Sequence, residues 1–161
     1  MIALSKAPDP CMAVEISDTL AVALFSELLT AEQLARNRMS KALPKGMEIS
    51  HFSVLNHLAH IGEERSPAQL AQAFHLTRGA MTNTLNKLEW AGYVHIRPDW
   101  DDARRKMVSI SPSGRAARDA AIASVSPVIA AIVSEIGSDK VRSMLPVMRE
   151  LRQKLGAREE P

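Results

Sequence analysis

The chain has 161 residues, a length that suits one domain of ~150 residues and excludes a multidomain enzyme. Hydrophobic residues at 46% and charged residues at 24% exclude long-range disorder and a fibrous repeat, and 4% aromatics are too few for a surface that stacks single-stranded bases. The formal net charge is only +2, but from Ser66 to Arg118 eight basic residues face four acidic ones, so this stretch carries +4 and the remainder −2.

Cys11 is the only cysteine, which excludes an intrachain disulfide and a cysteine-based zinc site and fits a reducing, cytoplasmic setting. The N-terminus lacks a basic-then-apolar signal pattern, and no apolar run approaches the ~20 residues of a membrane span, so no membrane partner is expected. Residues 1–15, with Pro8 and Pro10, read as a flexible arm. From Asp18 to about Lys41, Leu20, Leu24 and Leu28, with Phe25 and Leu29, recur at helical spacing and predict a long amphipathic helix ended by Pro44 and Gly46. Phe52, Val54, Leu55, Leu58 and Ile61 carry a second helix that stops near Gly62.

Ser66-Pro67-Ala68-Gln69 reads as a capping box opening a short helix with Leu70, Ala71 and Phe74 inward. Thr77 is the expected N-cap of the next helix, with Met81, Leu85 and Leu88 inward and Gly92 past its end. Two short helices so spaced form a helix-turn-helix. Tyr93 to Arg97 and Lys106 to Ile110 then alternate with period two, setting Val94 and Ile96 opposite Val108 and Ile110. Their connection, Pro98 to Arg105, is long and charged for a hairpin loop. Ser111-Pro112 opens a helix through about Ile136, with Pro127 expected to kink it. A last helix, about Asp139 to Leu155, is expected to bury Val141, Leu145, Met148, Leu151 and Leu155, with Pro146 bending it or delaying its start.

From Met47 to Gly114 the chain resembles the multiple-antibiotic-resistance regulator (MarR) family of winged helix-turn-helix transcription factors. The resemblance rests on Leu70-Ala71, Leu76-Thr77-Arg78, Leu88-Glu89, Gly92-Tyr93-Val94, Arg97-Pro98-Asp99, Asp102-Ala103-Arg104, Val108-Ser109-Ile110-Ser111 and Gly114. It implies a mainly α fold, a winged helix-turn-helix with a small β-hairpin wing, in one domain over 1–161. Residues 47–111 would form the DNA-binding region, and the helices of 16–46 and 112–161 a dimerisation region. It further implies a homodimer, a pseudo-palindromic duplex-DNA site and a small-molecule effector that releases a repressor. Independently of the family, the apolar faces on both terminal segments need burial, in a dimer or within one monomer.

A recognition helix enters the major groove by its N-terminal part, which points to Thr77, Arg78, Gly79, Thr82, Asn83, Asn86 and Lys87. Arg78 suits a bidentate contact to guanine, Asn83 or Asn86 to adenine, and Thr82 a thymine methyl or a phosphate. Gly79 and Asn83 stand where the family often has Ser and Arg, which changes the operator rather than the binding. The resemblance sets Arg104 in the minor groove, with Arg105 and Lys106 compensating for Ala103, where a second Arg is usual. Asp102 is read as the carboxylate that positions the Arg104 guanidinium. Ser66 and Gln69, at a helix N-terminus, are candidates for phosphate contact.

For the effector, family ligands lie between the dimer helices and the winged module, which makes Arg38, Met39, His51 and His57 the candidates. His51, His57 and His60 do not share a face and no carboxylate completes a metal site, so no metal or other cofactor is expected. Some relatives sense peroxide through an N-terminal cysteine in the first helix, but Cys11 is expected to precede that helix. A redox sensor through Cys11 and a winged-helix protein-interaction module are the alternative functions. No Gly-rich phosphate loop, nucleophile elbow or HExxH pattern is present, so no catalytic residues are assigned and an enzyme is not expected.

Overall fold

The structure is a computed structural model that describes residues 10–156. The chain divides into two compact units, residues 1–41 and 42–161. The first unit is carried by α1 (Pro10–Ala42). This helix starts earlier than the Leu and Phe spacing suggests, because Pro10 is well suited to a first turn, where its missing N–H costs nothing. The backbone of Cys11 therefore lies within α1 rather than before it, and of the expected flexible arm residues 1–9 fall outside the described residues. Leu20, Val22, Leu24, Phe25, Leu29 and Leu34 of α1 are all exposed.

The second unit runs α2 (Ile49–Ile61), α3 (Pro67–Ala73), α4 (Arg78–Trp90), β1 (Val94–Pro98), β2 (Lys106–Ile110), α5 (Pro112–Ile136) and α6 (Ser138–Gly156). Its core is made by Val54, Leu55 and Leu58 of α2, Leu70 and Ala71 of α3, Met81, Leu85 and Leu88 of α4, and Val94 and Val108 of the strands. One apolar face from each short element meets the others, so none could hold its shape alone. The strands pair antiparallel with Val94 opposite Ile110 and Ile96 opposite Val108, the register that the alternation requires. Arg65, before α3, adds a bridge to Val108 of β2, its N–H donating at 3.0 Å and its carbonyl accepting at 2.9 Å.

The helix ends are closed as their sequences dictate. Ser66 Oγ accepts the Gln69 N–H at 3.2 Å, while the Ser66 N–H donates to Gln69 Oε1 at 2.8 Å, a complete capping box. After α4, Gly92 turns left-handed at φ 72°. Its N–H donates to Glu89 O and that of Tyr93 to Leu88 O, both at 2.8 Å, which satisfies the last carbonyls of the helix. Between α3 and α4 the chain reverses through His75, a non-glycine residue at φ 51°. At the start of α5, Ser111 Oγ and Ser113 Oγ each donate to Gly92 O at 2.7 Å. A side chain at Gly114 would stand 2.0 Å from Tyr93 O, so only glycine lets α5 approach the wing this closely.

Two expectations about the terminal helices are corrected, the delayed start of α6 and its burial within the chain. α6 begins at Ser138, well before Pro146, and α5 runs unbroken through Pro127. Both prolines are exposed, so water can take the carbonyl that each frees. α6 buries none of its residues within the chain, and Leu145 and Leu155 are exposed. By length and composition alone α5 is long and apolar enough to cross a membrane, with mean hydropathy 1.6 over its most apolar stretch, contrary to the expectation that no such run exists. The isoleucines and valines of its second half carry that average. Its first half is packed in the winged unit, where Ala121 and Val125 are buried and the Arg118 guanidinium donates to Asn56 of α2 at 3.0 Å.

Candidate nucleic-acid interface

α4 is positioned by its buried stripe. Met81, Leu85 and Leu88 are inside the core, so the residues one-third of a turn away must face out. Arg78, Gly79, Thr82, Asn83 and Asn86 form that outer stripe and all are exposed. Thr77 caps the helix, its Oγ1 accepting the Ala80 N–H at 3.2 Å. The Thr82 hydroxyl donates back to Arg78 O at 2.8 Å, which leaves its methyl and its oxygen lone pairs outward. Among the described residues no ion pair engages the Arg78 side chain.

Lys87 behaves differently from its neighbours. Its Nζ lies 2.8 Å from Glu48 Oε1 at the start of α2, so it bridges two helices. That hydrogen bond holds the Glu48 carboxyl below its ordinary 4.5. Ser66 is buried, and its hydroxyl is occupied by the capping box, while the Gln69 side chain is exposed.

The wing tip, residues 99–105, is built by its own turns. The Asp99 N–H donates to Arg105 O and the Arg105 N–H to Asp102 O, both at 2.9 Å. Asp102 does not hold the Arg104 guanidinium: its Oδ1 accepts the Arg104 backbone N–H at 3.0 Å. A short carboxylate two residues before a turn amide bonds it in preference to a distant, mobile guanidinium. The Asp99 carboxylate lies 3.9 Å from Arg105 Nε. Arg104, Arg105 and Lys106 are all exposed. Arg97 is spent inside the wing on Glu64 and on Pro98 O, and its Cζ lies 4.6 Å from the ring centre of Trp100. Glu64 and Trp100 were not singled out from sequence. A lone aromatic in an otherwise charged loop was the available signal for Trp100, whereas nothing local marks Glu64.

The effector candidates separate. Arg38, exposed, and Met39, half-buried, belong to the α1 unit. His57 packs edge-on to Phe74 with ring centres 5.1 Å apart, and burial lowers its pKa from 6.5. His51 lines a cleft of about 470 Å³ together with Gly46, Glu48, Asn86, Lys87, Trp90 and Tyr93. Its Nδ1 accepts the Glu48 N–H at 3.3 Å, its buried Nε2 has no hydrogen-bond partner, and burial lowers its pKa. The structure thus brings His51 beside Asn86 and Lys87, which sequence placed in a different group. Among the described residues no three His, Cys, Asp or Glu side chains are grouped to hold a metal ion.

A capped helix with a polar outer stripe, set behind a shorter helix and beside a basic β-hairpin, defines a winged helix-turn-helix. Residues 45–105 match the model of the MarR family. Solved structures share the fold: a mutant of MarR from E. coli complexed with operator DNA has a TM-score of 0.73 at 19% identity, covering 81% of this chain and 94% of that one. The transcriptional regulator BldR from Sulfolobus solfataricus gives 0.65 at 22% identity, covering 92% and 99%. A MepR-like protein complexed with pseudoligands gives 0.58 at 20%, covering 86% and 94%. No curated protein matches the chain. The fold of this chain is that of MarR-family transcriptional regulators.

Proposed function

We propose that this chain is a MarR-family transcriptional regulator, a cytoplasmic homodimer that binds a pseudo-palindromic duplex-DNA site and acts as a repressor released by a small molecule. The observation that carries the reading is the pairing of an exposed polar stripe, Arg78, Gly79, Thr82, Asn83 and Asn86, with a wing that presents Arg104, Arg105 and Lys106. The helix stripe supplies base-edge groups and the wing supplies phosphate and minor-groove charge. The operator-DNA complex of the MarR mutant with the same fold supports this use of the surface.

Dimerisation is supported by the exposed apolar residues of α1 and of the last two helices, among them Leu20, Leu24, Leu29, Ile129, Ile136 and Leu155. Faces of that size are covered by a second copy in symmetric assemblies. The pseudoligand complex of the MepR-like protein supports a small-molecule effector. His51, in the cleft wall beside the Lys87 bridge to α4, is its best-placed contact, and His57, Arg38 and Met39 are the further candidates. The test is binding of the purified chain to duplex DNA from its own upstream region across a salt series, beside a scrambled duplex. Tight, salt-steep binding that prefers the native duplex at two chains per site is expected. Equal, weak binding to both duplexes at every salt overturns the reading of an autoregulatory repressor.

A further inference from the structure

Trp100 is 84% exposed at the tip of the wing, an arrangement that leaves a large apolar ring in water. It is nevertheless held in place. The Arg97 guanidinium lies against its ring at 4.6 Å from the centre, and that guanidinium is itself immobilised. Its Nε donates to Glu64 Oε1 at 3.0 Å, its Nη2 to Glu64 Oε2, and its Nη1 to Pro98 O at 2.8 Å. Glu64 precedes Arg65, whose backbone is bridged to Val108 of β2. Every member of this chain of contacts belongs to the winged unit, and its far end is an indole ring open to solvent.

We propose that Trp100 is a DNA-contacting residue: its indole packs on the apolar sugar face of the groove wall of duplex DNA as the wing engages. This rests on the reading of the chain as a duplex-DNA-binding regulator. The charge of the hairpin as a whole favours that occupant, since Arg97, Arg104, Arg105 and Lys106 outnumber Asp99, Asp101 and Asp102. Asp99 and Asp102 turn an oxygen to the loop's own amides, of Asp101 and Arg104, and Asp99 also faces Arg105. Arg104 and Lys106 have no ion-pair partner among the described residues. An exposed apolar ring on a hairpin that also carries the exposed Arg104 and Lys106 fits a polyanion whose sugars are apolar and whose phosphates are charged. Glu64 and Arg97 are positioning residues that set the plane of the ring before DNA arrives, which reduces the ordering lost on binding.

The chain has two tryptophans, so Trp90→Phe leaves Trp100 as the sole reporter. Binding of a labelled mixed-sequence duplex at low salt is followed by label anisotropy while Trp100 emission and its quenching by acrylamide are read in parallel. Bound duplex is expected to shift the emission and shield the ring from acrylamide. In the otherwise native chain, Trp100→Ala is expected to weaken binding about fivefold without changing the salt slope, because the lost contact is apolar, with partial rescue by Trp100→Phe. Glu64→Gln is expected to weaken binding about twofold and to raise the mobility of Trp100 in the free protein, a signature that a loss of charge alone does not produce. Unchanged Trp100 emission with duplex bound, or native affinity in Trp100→Ala, overturns the proposal and leaves the regulator reading intact. A changed oligomeric state of Trp100→Ala with native DNA affinity assigns the ring to self-association and overturns it as well. Failure of the native chain to bind any duplex overturns both.

Discussion

Gly114→Ala is the substitution whose outcome the geometry dictates most sharply. An added Cβ stands 2.0 Å from Tyr93 O, 2.9 Å from Tyr93 C and 3.0 Å from Ile110 Cγ1. Two of these three atoms are backbone, so no side-chain rotation relieves the clash, and α5 must retreat by about 1 Å to reach even a tight contact. The retreat strains the Ser111 N–H bond to Tyr93 O at 3.0 Å and the two serine hydroxyls on Gly92 O. Overpacking costs about 1–3 kcal/mol, and a clash with backbone that cannot rotate away falls at the upper end, about 2–3 kcal/mol, against a helix-propensity gain for alanine of about 1 kcal/mol. A net loss of about 1–2 kcal/mol is expected, or about 2–8 °C in melting temperature for a chain of this size. Gly79→Ala is the internal control: nothing lies within 4 Å of its Cβ and its φ is ordinary, so the same chemical change is expected to raise stability by up to about 1 kcal/mol. Thermal and urea unfolding at one fixed chain concentration measure both. A Gly114→Ala protein as stable as the parent would refute the close-approach argument.

Arg104→Ala is expected to weaken binding to specific and scrambled duplexes alike and to flatten the plot of log affinity against log salt by about one unit per bound chain; an unchanged slope removes Arg104 from the interface. Burial holds the His51 imidazole below its ordinary 6.5, so the unfolded chain takes a proton first, and stability present above that value is lost as the pH falls toward the folded value. His51→Gln, which retains an acceptor for the Glu48 N–H, is expected to show a shallower fall in urea midpoint between about pH 7.5 and about pH 5 than the parent. A fall of parental size would show that His51 carries no part of it. At the reversal between α3 and α4, His75 holds a left-handed conformation, so His75→Gly is expected to stabilise the fold by up to about 1 kcal/mol, and a lower urea midpoint would contradict that strain.

The winged unit was legible because its local signals agree. The Ser66 and Thr77 caps, the Gly92 stop, and the alternation of Val94, Ile96, Val108 and Ile110 each specify one geometry from a few neighbouring residues, and all are compatible with one core. The α4 stripe followed from the position of Met81, Leu85 and Leu88. What escaped involves partners distant in sequence or a competition between nearby groups. Lys87 finds Glu48 and Arg97 finds Glu64 across gaps of 39 and 33 residues, and no spacing rule reaches so far. Asp102 had two possible partners in Arg104, its amide and its guanidinium, and the shorter loop closure won. The inward face assigned to α6 was read from apolar periodicity, which marks a face that must be covered without saying that the same chain covers it.

The bridge between Arg65 and Val108, with the Glu64 to Arg97 pair beside it, means that the wing is no loose finger. It is stitched to the segment that leads into α3, while the hydroxyls of Ser111 and Ser113, just past β2, stitch the start of α5 to the end of α4. The gap between the outer stripe of α4 and the tip at Arg104 is therefore set like the jaws of a locked caliper. For the proposed regulator, operators that differ in groove width are expected to be met by turning the winged unit as one piece or by deforming the DNA, which leaves the choice among them to the stiffness of the sequence.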